Sequence, residues 1–383
     1  MANDFSGVLP IVIAQSLMSL REQALITRHI NRDFENVPQA QGDTVNVTLP
    51  GPVTASDVTP SATPIVAGDT KPVKVPITLS QWKKSNMVLT DKEVGMITAG
   101  IRPSQISVHM RALANTVNSY FYALYKRVYG FAGTPGTNPF ATDTQPILDA
   151  RTVLNNQLAP MDGRKVILDV NAEAKAFKIS DIVRADARGN GDAITSGRLS
   201  TTFGMDWFMD QLIPTHTSTP LTAGAATVNG AQAVGVGSTD NGRTGTLSIA
   251  KATNAAPLVK GDIITIAGDT QTYVVLADVT LAVGNTSVSI APALQKATAG
   301  GEAITLKATH VVNLVFHPDA FMFASRPLSD VGGAANTFQQ MDPVTGISLR
   351  GEIIRQHKQT VIEFDYLFGG ECVRPELACR LAG

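Results

Sequence analysis

The sequence predicts an α+β protein that carries a small all-β domain inserted past its middle, and three observations predict it. The first is the stretch 103–130, PSQISVHMRALANTVNSYFYALYKRVYG. There Ile106, Met110, Leu113, Val117, Tyr120, Leu124 and Val128 recur at alternating steps of four and three, the single apolar stripe of one long helix. The second is a helix–strand–helix alternation over 144–185. The third is a change of character after Pro214: from Thr217 to Thr309 the one aromatic residue is Tyr273, amid Thr, Ala, Gly and Val.

Taken in order, residues 10–33 read as a helix begun at Pro10, with Ile13, Leu17, Leu20 and Ala24 on one face. Such an arm packs on its own domain or on a neighbour, and the spacing does not choose. TVNVTL (44–49) and VKVPITL (73–79) alternate with period two, as half-buried strands do. Pro76 restricts the second to an edge or a bulge. Between them, residues 50–72 hold five prolines and no aromatic residue. A loop that long without structure of its own does not belong in a compact domain unless it is functional. The economical reading is a projecting hairpin that becomes ordered by docking on another subunit.

Asp91 is placed to cap a short helix near 92–98. In the long helix, Ser104 is expected to cap the start and Gly130 to end it in left-handed backbone. That rod would be on the order of 40 Å long. GFAGTPGTNP then reads as a hinge. Thr144 and Pro146 open a helix with Ile147, Leu154 and Leu158 inward, KVILDV (165–170) is a buried strand, and Asn171 caps the helix AEAKAFKISDIVRA. FGMDWFMDQLIP reads as a strand. TLSIA (246–250), DIITIA (262–267), TYVVLA (272–277), SVSIA (287–291) and AITLKA (303–308) are short strands at barrel or sandwich spacing. The closing segment from Ser348 is strand-rich, with a turn expected at Gly369–Gly370.

Composition limits the functions. The 383 residues carry 31 basic and 32 acidic side chains, a formal net charge of −1, which gives no reason to expect tight, steered nucleic-acid binding. The N-terminus has no basic region before its short apolar run, so the expectation is an intracellular, soluble product with no export signal and no membrane partner. Cys372 and Cys379 are too few for a metal knuckle or a disulfide framework and read as packed, reduced thiols.

Chemistry-bearing residues do not assemble into a site. His29, His109, His216, His310, His317 and His357 show no ligand-pair spacing. Asp206 and Asp210 would share one strand face, where a solvated or hydrogen-bonded pair outweighs a metal or acid–base pair. The G-x-G of RGNGDA (188–193) follows a helix where a phosphate cradle needs a strand before it. No catalytic residue, metal or cofactor is expected. Lys71, Lys74, Lys83 and Lys84 cluster at the base of the projecting hairpin, either as a charged edge that blocks strand pairing or as an ion-pairing handle for an adjacent subunit. Gly95, Gly100, Gly130 and Gly133 are candidate hinges for their permissive backbones.

The order of these parts resembles the major capsid protein fold of tailed bacteriophages, and the inserted β-domain resembles the short-tailed-phage branch. The stretches that carry the resemblance are the spine helix, GRLSTTFGMDWFMDQLIP, LVKGDIITIAG, HPDAFMFASRPL and LFGGECVRPELACRL. The resemblance implies an N-terminal arm (1–43), an extended loop hairpin (44–86) and a peripheral domain with the spine helix (87–135). It further implies an axial domain in two parts (136–215 and 310–344), an inserted β-barrel domain (216–309) and peripheral C-terminal strands (345–383). The implied function is structural and not enzymatic: pentamers and hexamers of an icosahedral shell around double-stranded DNA, held without sequence-specific contacts. Scaffolding and portal proteins are the implied partners, and the chain would be assembled in the host cytoplasm and found in the virion. In the loop GSTDNGRTG (237–245), Asp240 and Arg243 are the implied pair for a reciprocal contact across a two-fold axis. No covalent link between subunits is expected, and a ladder of multimers on a denaturing gel would overturn that. An encapsulin-like compartment shares the fold, though the inserted domain argues against it. An adhesive fibre module would explain 217–309 alone.

Overall fold

The computed structural model describes residues 16–18, 20, 24–32, 44–51, 72–90, 103–183, 197, 199, 201–221, 226–253, 255–328, 337–342 and 344–383. The side chains of 89, 103–106, 181 and 183 are excepted. Expectations for Asp91, Lys71, Gly95, Gly100, Ile106 and the 188–193 segment therefore fall on residues or side chains outside those described.

Strands β1 (Thr44–Leu49) and β2 (Val73–Thr78) pair antiparallel, with Pro76 opposite Asn46. A two-stranded sheet has only edges, which is where a proline that cannot donate is tolerated. Val45, Val47, Val75 and Ile77 point inward and pack on Met322, Ala324, Leu367 and Val373. The next strand, β3 (Gln81–Thr90), had no reading in the sequence, because its period-two pattern is broken by Lys83, Lys84, Ser85 and Asn86.

Helix α1 (Pro103–Ala123) is about 32 Å long, shorter than the stripe suggested. It tightens into a 3₁₀ turn at Leu124–Arg127, and Val128 is extended. Gly130 does not terminate the helix. It opens β4 (Gly130–Ala132), and a Cβ there would stand 2.7 Å from the Ala378 carbonyl oxygen, so the close parallel strand excludes a side chain. Because the helix begins at Pro103, Ser104 lies inside it and not at the capping position. The buried stripe is Met110, Leu113, Ala114, Val117 and Phe121, at the centre of the main core.

In α2 (Gln145–Asn156), Ile147 and Leu154 are buried as expected. Thr144 makes no side-chain cap, and Asp143 Oδ1 accepts from the Gln145 N–H at 3.0 Å in its place. Leu158 is 89% exposed, because the helix has already ended and Leu158 takes φ +57 in the following turn. After β5 (Lys165–Leu168) the helix cap is Asp169, whose carboxylate accepts from Asn171 N and Ala172 N, and not Asn171 itself. The expected single helix is two short ones, α3 (Val170–Ala176) and α4 (Ser180–Val183).

β6 (Asp206–Met209) and β7 (Thr215–His216) lead into eight strands: β8 (Ala226–Val228), β9 (Gly245–Lys251), β10 (Ala256–Leu258), β11 (Ile263–Ile266), β12 (Thr272–Val275), β13 (Val279–Leu281), β14 (Gly284–Ala291) and β15 (Ala303–Leu306). Six of them close into a barrel in the order β11–β12–β14–β9–β8–β15. Alternate residues of β9, such as Leu247 and Ile249, fill its interior with Val288, Ile290 and Tyr273.

The chain returns through β16 (His310–Phe316), β17 (Phe321–Arg326), β18 (Thr337–Met341), β19 (Ser348–Gln356), β20 (Gln359–Cys372) and β21 (Ala378–Ala382). One sheet runs β4–β21–β16–β5–β6, with β7 beside β16. In the other, β20 has β3 on one side and β19 and β17 end to end on the other. Gly369 and Gly370 are not a turn; they lie inside β20. A Cβ on Gly369 would collide with the Thr78 carbonyl, and one on Gly370 with the Phe121 ring. The hairpin turn sits earlier, at His357 and Lys358, both with positive φ.

The described residues of 16–32 pack on the chain's own body. Leu17, Leu20, Ala24, Ile26 and Ile30 belong to the main core, and Asn31 is hydrogen-bonded to the backbone of Phe321 and Phe323. The expected helix does not run to residue 33: Ala24 and Leu25 belong to no helix, and a separate 3₁₀ turn forms at Ile26–Arg28.

Candidate functional site

Among the described residues no group of three or more His, Cys, Asp or Glu is arranged to hold a metal ion. What the fold does bring together is a buried polar seam between barrel and body. β7 and β16 pair His216 with His310 as the chain leaves and re-enters the body. Asp262, at the start of β11, accepts from His216 Nε2 at 2.9 Å. A carboxylate accepts only, so Nε2 carries a proton, and Nδ1 lies 2.8 Å from the Tyr125 hydroxyl, whose proton it accepts when the ring is neutral. His310 donates through Nδ1 to the Ala308 carbonyl at 2.7 Å, and burial pushes its pKa down to about 4. Arg380 of β21 closes the cluster. Its guanidinium lies 4.8 Å from the Tyr125 ring centre, Nη1 donates to the Gly261 carbonyl at 2.7 Å, and burial lowers its pKa to about 9. Sequence spacing could not reveal this seam, because its members come from five separated stretches of the chain.

Helix α1 is fixed from both sides by phenolic hydroxyls. Tyr120 donates to the Gly370 carbonyl at 2.9 Å, Tyr122 to Asp210 at 2.7 Å, and Tyr366 of β20 to the Leu113 carbonyl at 3.0 Å. Asp210 is thereby committed to the helix. Asp206 accepts from Lys165 at 2.5 Å and from Thr201 at 2.6 Å, and those two hydrogen bonds lower its pKa. β6 stops at Met209, so the two carboxylates serve separate partners and do not form one site.

On the outward face of the β20 sheet, Asp365 is buried under a bidentate contact from Arg350, at 2.9 and 2.6 Å, and accepts from Trp82 Nε1 at 2.9 Å. Beside it Lys84 reaches Glu363 at 3.3 Å. Lys83 and Lys84 are exposed on β3, which among the described strands pairs only with β20, and Lys74 is exposed on β2. Trp82 and Val88 are about half exposed on the same strand.

In the 237–245 loop, Asp240 accepts from Thr244 N at 2.9 Å, from Thr244 Oγ1 at 2.7 Å and from Ser238 Oγ at 3.2 Å. Arg243 donates through Nη2 to the Val373 carbonyl, linking the barrel to the body. Both side chains are thus engaged within the single chain. Gly130 and Gly133 sit in tight approach to β21, where a Cβ on Gly133 would stand 2.8 Å from the Ala382 carbonyl oxygen. This packing accounts for both glycines. Cys372 and Cys379 are buried free thiols whose pKa burial pushes up.

No family model and no curated protein matches this sequence. Solved structures do. A structure from Mycobacterium phage Che8 superposes with a TM-score of 0.53 at 12% identity, covering 94% of this chain and 90% of that one. The capsid structure of the cyanophage P-SCSP1u superposes with a TM-score of 0.50 at 14% identity, covering 92% of this chain and 85% of that one. At such identities the likeness concerns the fold, and the fold of this chain is one that a phage capsid structure also has.

Proposed function

We propose that this chain is the major capsid protein of a tailed phage, a structural subunit that co-polymerises through pentamers and hexamers into an icosahedral shell around double-stranded DNA. The observation that carries the reading is a likeness to a phage capsid structure that extends over 92% of the chain and is not confined to one domain. In this reading residues 44–86 are the extended loop, residues 87–135 and 345–383 the peripheral domain, and residues 136–215 and 310–344 the axial domain. Residues 216–309 are the inserted domain of the short-tailed branch, and residues 1–43 the arm.

The physical chemistry agrees with a shell. A subunit with several modest contacts gains its stability from their number. A net charge of −1 suits an inner wall that encloses DNA without gripping it. Scaffolding and portal proteins would guide assembly, and Lys74, Lys83, Lys84, Asp240 and Arg243, with Lys71, remain the candidate subunit contacts. Maturation would rotate domains as rigid bodies, with Gly130 and Gly133 as hinge positions alongside Gly95 and Gly100. Gly130→Ala particles that still expand normally would remove that role.

Electron microscopy of the purified protein, expressed with and without a neighbouring gene for a scaffold, tests the reading. Closed shells or regular tubes are expected. Small monodisperse particles under both conditions would overturn it, and shells that hold a protein cargo without DNA would turn it toward a compartment.

A further inference from the structure

The barrel hangs from the body by one attachment. The chain leaves through Thr215–His216 and returns through His310, and these two strands lie side by side. The links just beyond are tied to each other, with the Ser218 N–H donating to Thr309 Oγ1 at 3.1 Å. Among the described residues no other strand pair joins the two units. The remaining contacts across the seam are side-chain contacts. Thr272 Oγ1 donates to the Tyr129 carbonyl at 2.6 Å, and Tyr129, Phe131 and Ala382 of the body pack on Ile263, Val274 and Ala291 of the barrel. Each unit also has a core of its own, so neither needs the seam to stay packed.

His310 stands at the foot of this attachment, and charged or titratable groups face it from the elements around it. These are Arg380 of β21, Asp262 of β11 and His216 of β7, whose ring centre is 5.5 Å away. Behind them Tyr125 meets the His216 ring edge-on, and Lys307 lies 5.4 Å over the Phe131 ring, which is itself edge-on to His310. The one carboxylate in this group, Asp262, already accepts from His216 Nε2 at 2.9 Å and from the Val259 N–H at 2.7 Å. His310 has committed Nδ1 to the Ala308 carbonyl, and its Nε2 is buried with no hydrogen-bond partner. A proton on Nε2 would be an unpaired buried charge beside the Arg380 cation, so the closed seam favours the neutral ring. With the barrel lifted off, water reaches Nε2 and the ring charges as an ordinary histidine does.

We propose that the seam is an acid-opened hinge: as pH falls, the barrel swings away from the body about the paired His216 and His310, and His310 takes up a proton in the open form while both units stay folded. The open form binds the extra proton, so acid favours it. Burial holds His310 near 4 in the closed form against its ordinary 6.5, which raises the open-to-closed ratio about 60-fold between pH 7 and pH 4.5. The hinge is a property of the single chain and does not rest on the shell reading.

Thiol labelling tests it. Val274→Cys places a thiol in the apolar cluster between barrel and body, while the buried Cys372 and Cys379 report on the body core of the same molecule. The full chain is treated with 2,2′-dipyridyl disulfide, which reacts in acid, at concentrations where the rate is proportional to reagent, and mass spectrometry locates the label. Each rate divided by that of the urea-unfolded chain at the same pH gives the opening constant. The thiol at position 274 is expected to open about 60-fold more at pH 4.5 than at pH 7, with Cys372 and Cys379 still protected. His310→Asn should flatten that rise to within about threefold. A rise at position 274 below about fivefold, or no labelling there at either pH, would overturn the hinge. Labelling of all three thiols together, the mark of global unfolding, would overturn it too, as would an undiminished rise in the His310→Asn chain. Ala382→Cys probes the same cluster from the body side and decides the matter if Val274→Cys fails to fold.

Discussion

Arg380, in the last strand of the body, donates to the carbonyl oxygen of Gly261 in the barrel at 2.7 Å. This contact joins the two units through a fully buried cation. Arg380 Nε and Nη2 have no hydrogen-bond partner, so the guanidinium is dehydrated without full compensation. The carboxylate that acts on it is Asp262, which also holds His216.

That imbalance predicts opposite outcomes for two substitutions. Replacing both members of a poorly compensated buried ion pair with apolar groups is often neutral or stabilising, whereas removing one member strands the other. Arg380→Met combined with Asp262→Leu should therefore change stability by less than about 1 kcal/mol, or raise it. Asp262→Ala alone leaves the cation behind, and should cost about 3–5 kcal/mol. Urea midpoints of the purified chain measure both, and equal losses would show that Arg380 contributes attraction of its own.

His310 sets a pH dependence. Its folded pKa of about 4 lies below the ordinary 6.5, so the unfolded chain takes up the proton first as pH falls. The stabilising contribution is complete above about pH 6.5 and is lost as pH drops toward 4, with a slope of up to about 1.4 kcal/mol per pH unit for each such histidine. His29, stacked on Phe208 with ring centres 4.0 Å apart and likewise lowered to about 4, adds to it. Urea midpoints at pH 7, 5.5 and 4.5 should fall less steeply for His310→Asn than for the wild type.

Asp365 offers a spectroscopic test. Asp365→Asn should cost about 3 kcal/mol by leaving Arg350 without its bidentate partner. The one oxygen left on the amide is then shared between Arg350 and the half-exposed Trp82 indole. A change in tryptophan emission that survives when Trp207 is replaced by Phe would locate the effect at Trp82.

Gly369 and Gly370 separate two kinds of crowding. A methyl group on Gly369 meets the rigid backbone of Thr78, whereas one on Gly370 meets a ring of Phe121. Gly369→Ala should be the more damaging, with overpacking losses of about 1–3 kcal/mol. Gly370→Ala combined with Phe121→Leu should recover part of its loss, and a thermal melt of each variant decides.

The parts that were legible in the sequence are those made by local periodicity. Met110, Leu113 and Val117 announced the spine helix, the alternation in 44–49 and 73–79 announced the β1–β2 pair, and the Thr- and Val-rich repeats announced short barrel strands. What failed was set by contacts distant in sequence. Gly130 looked like a helix end because nothing local tells that β21 lies against it. Gly369 and Gly370 looked like a turn because the crowding comes from Thr78 and Phe121. Leu158 matched the stripe of α2, yet the helix ends two residues earlier. The seam histidines are nearly a hundred residues apart and come together only through the pairing of β7 with β16.

The pairing of His216 with His310 also bears on how the chain finds its fold. Strand β16 must meet β5 in the middle of the body sheet, with Leu314 opposite Ile167, across about 150 residues of intervening chain. Every barrel pairing lies within residues 226–306, the most distant joining Ala226 with Ile304, so that unit can form without the body and bring its own two ends side by side. The span left to close then shrinks to about 50 residues, and the entropy of closing it falls by about 1 kcal/mol. A barrel that formed first would thus act as a splint within the chain, shortening the search that the strands of the body sheet must make.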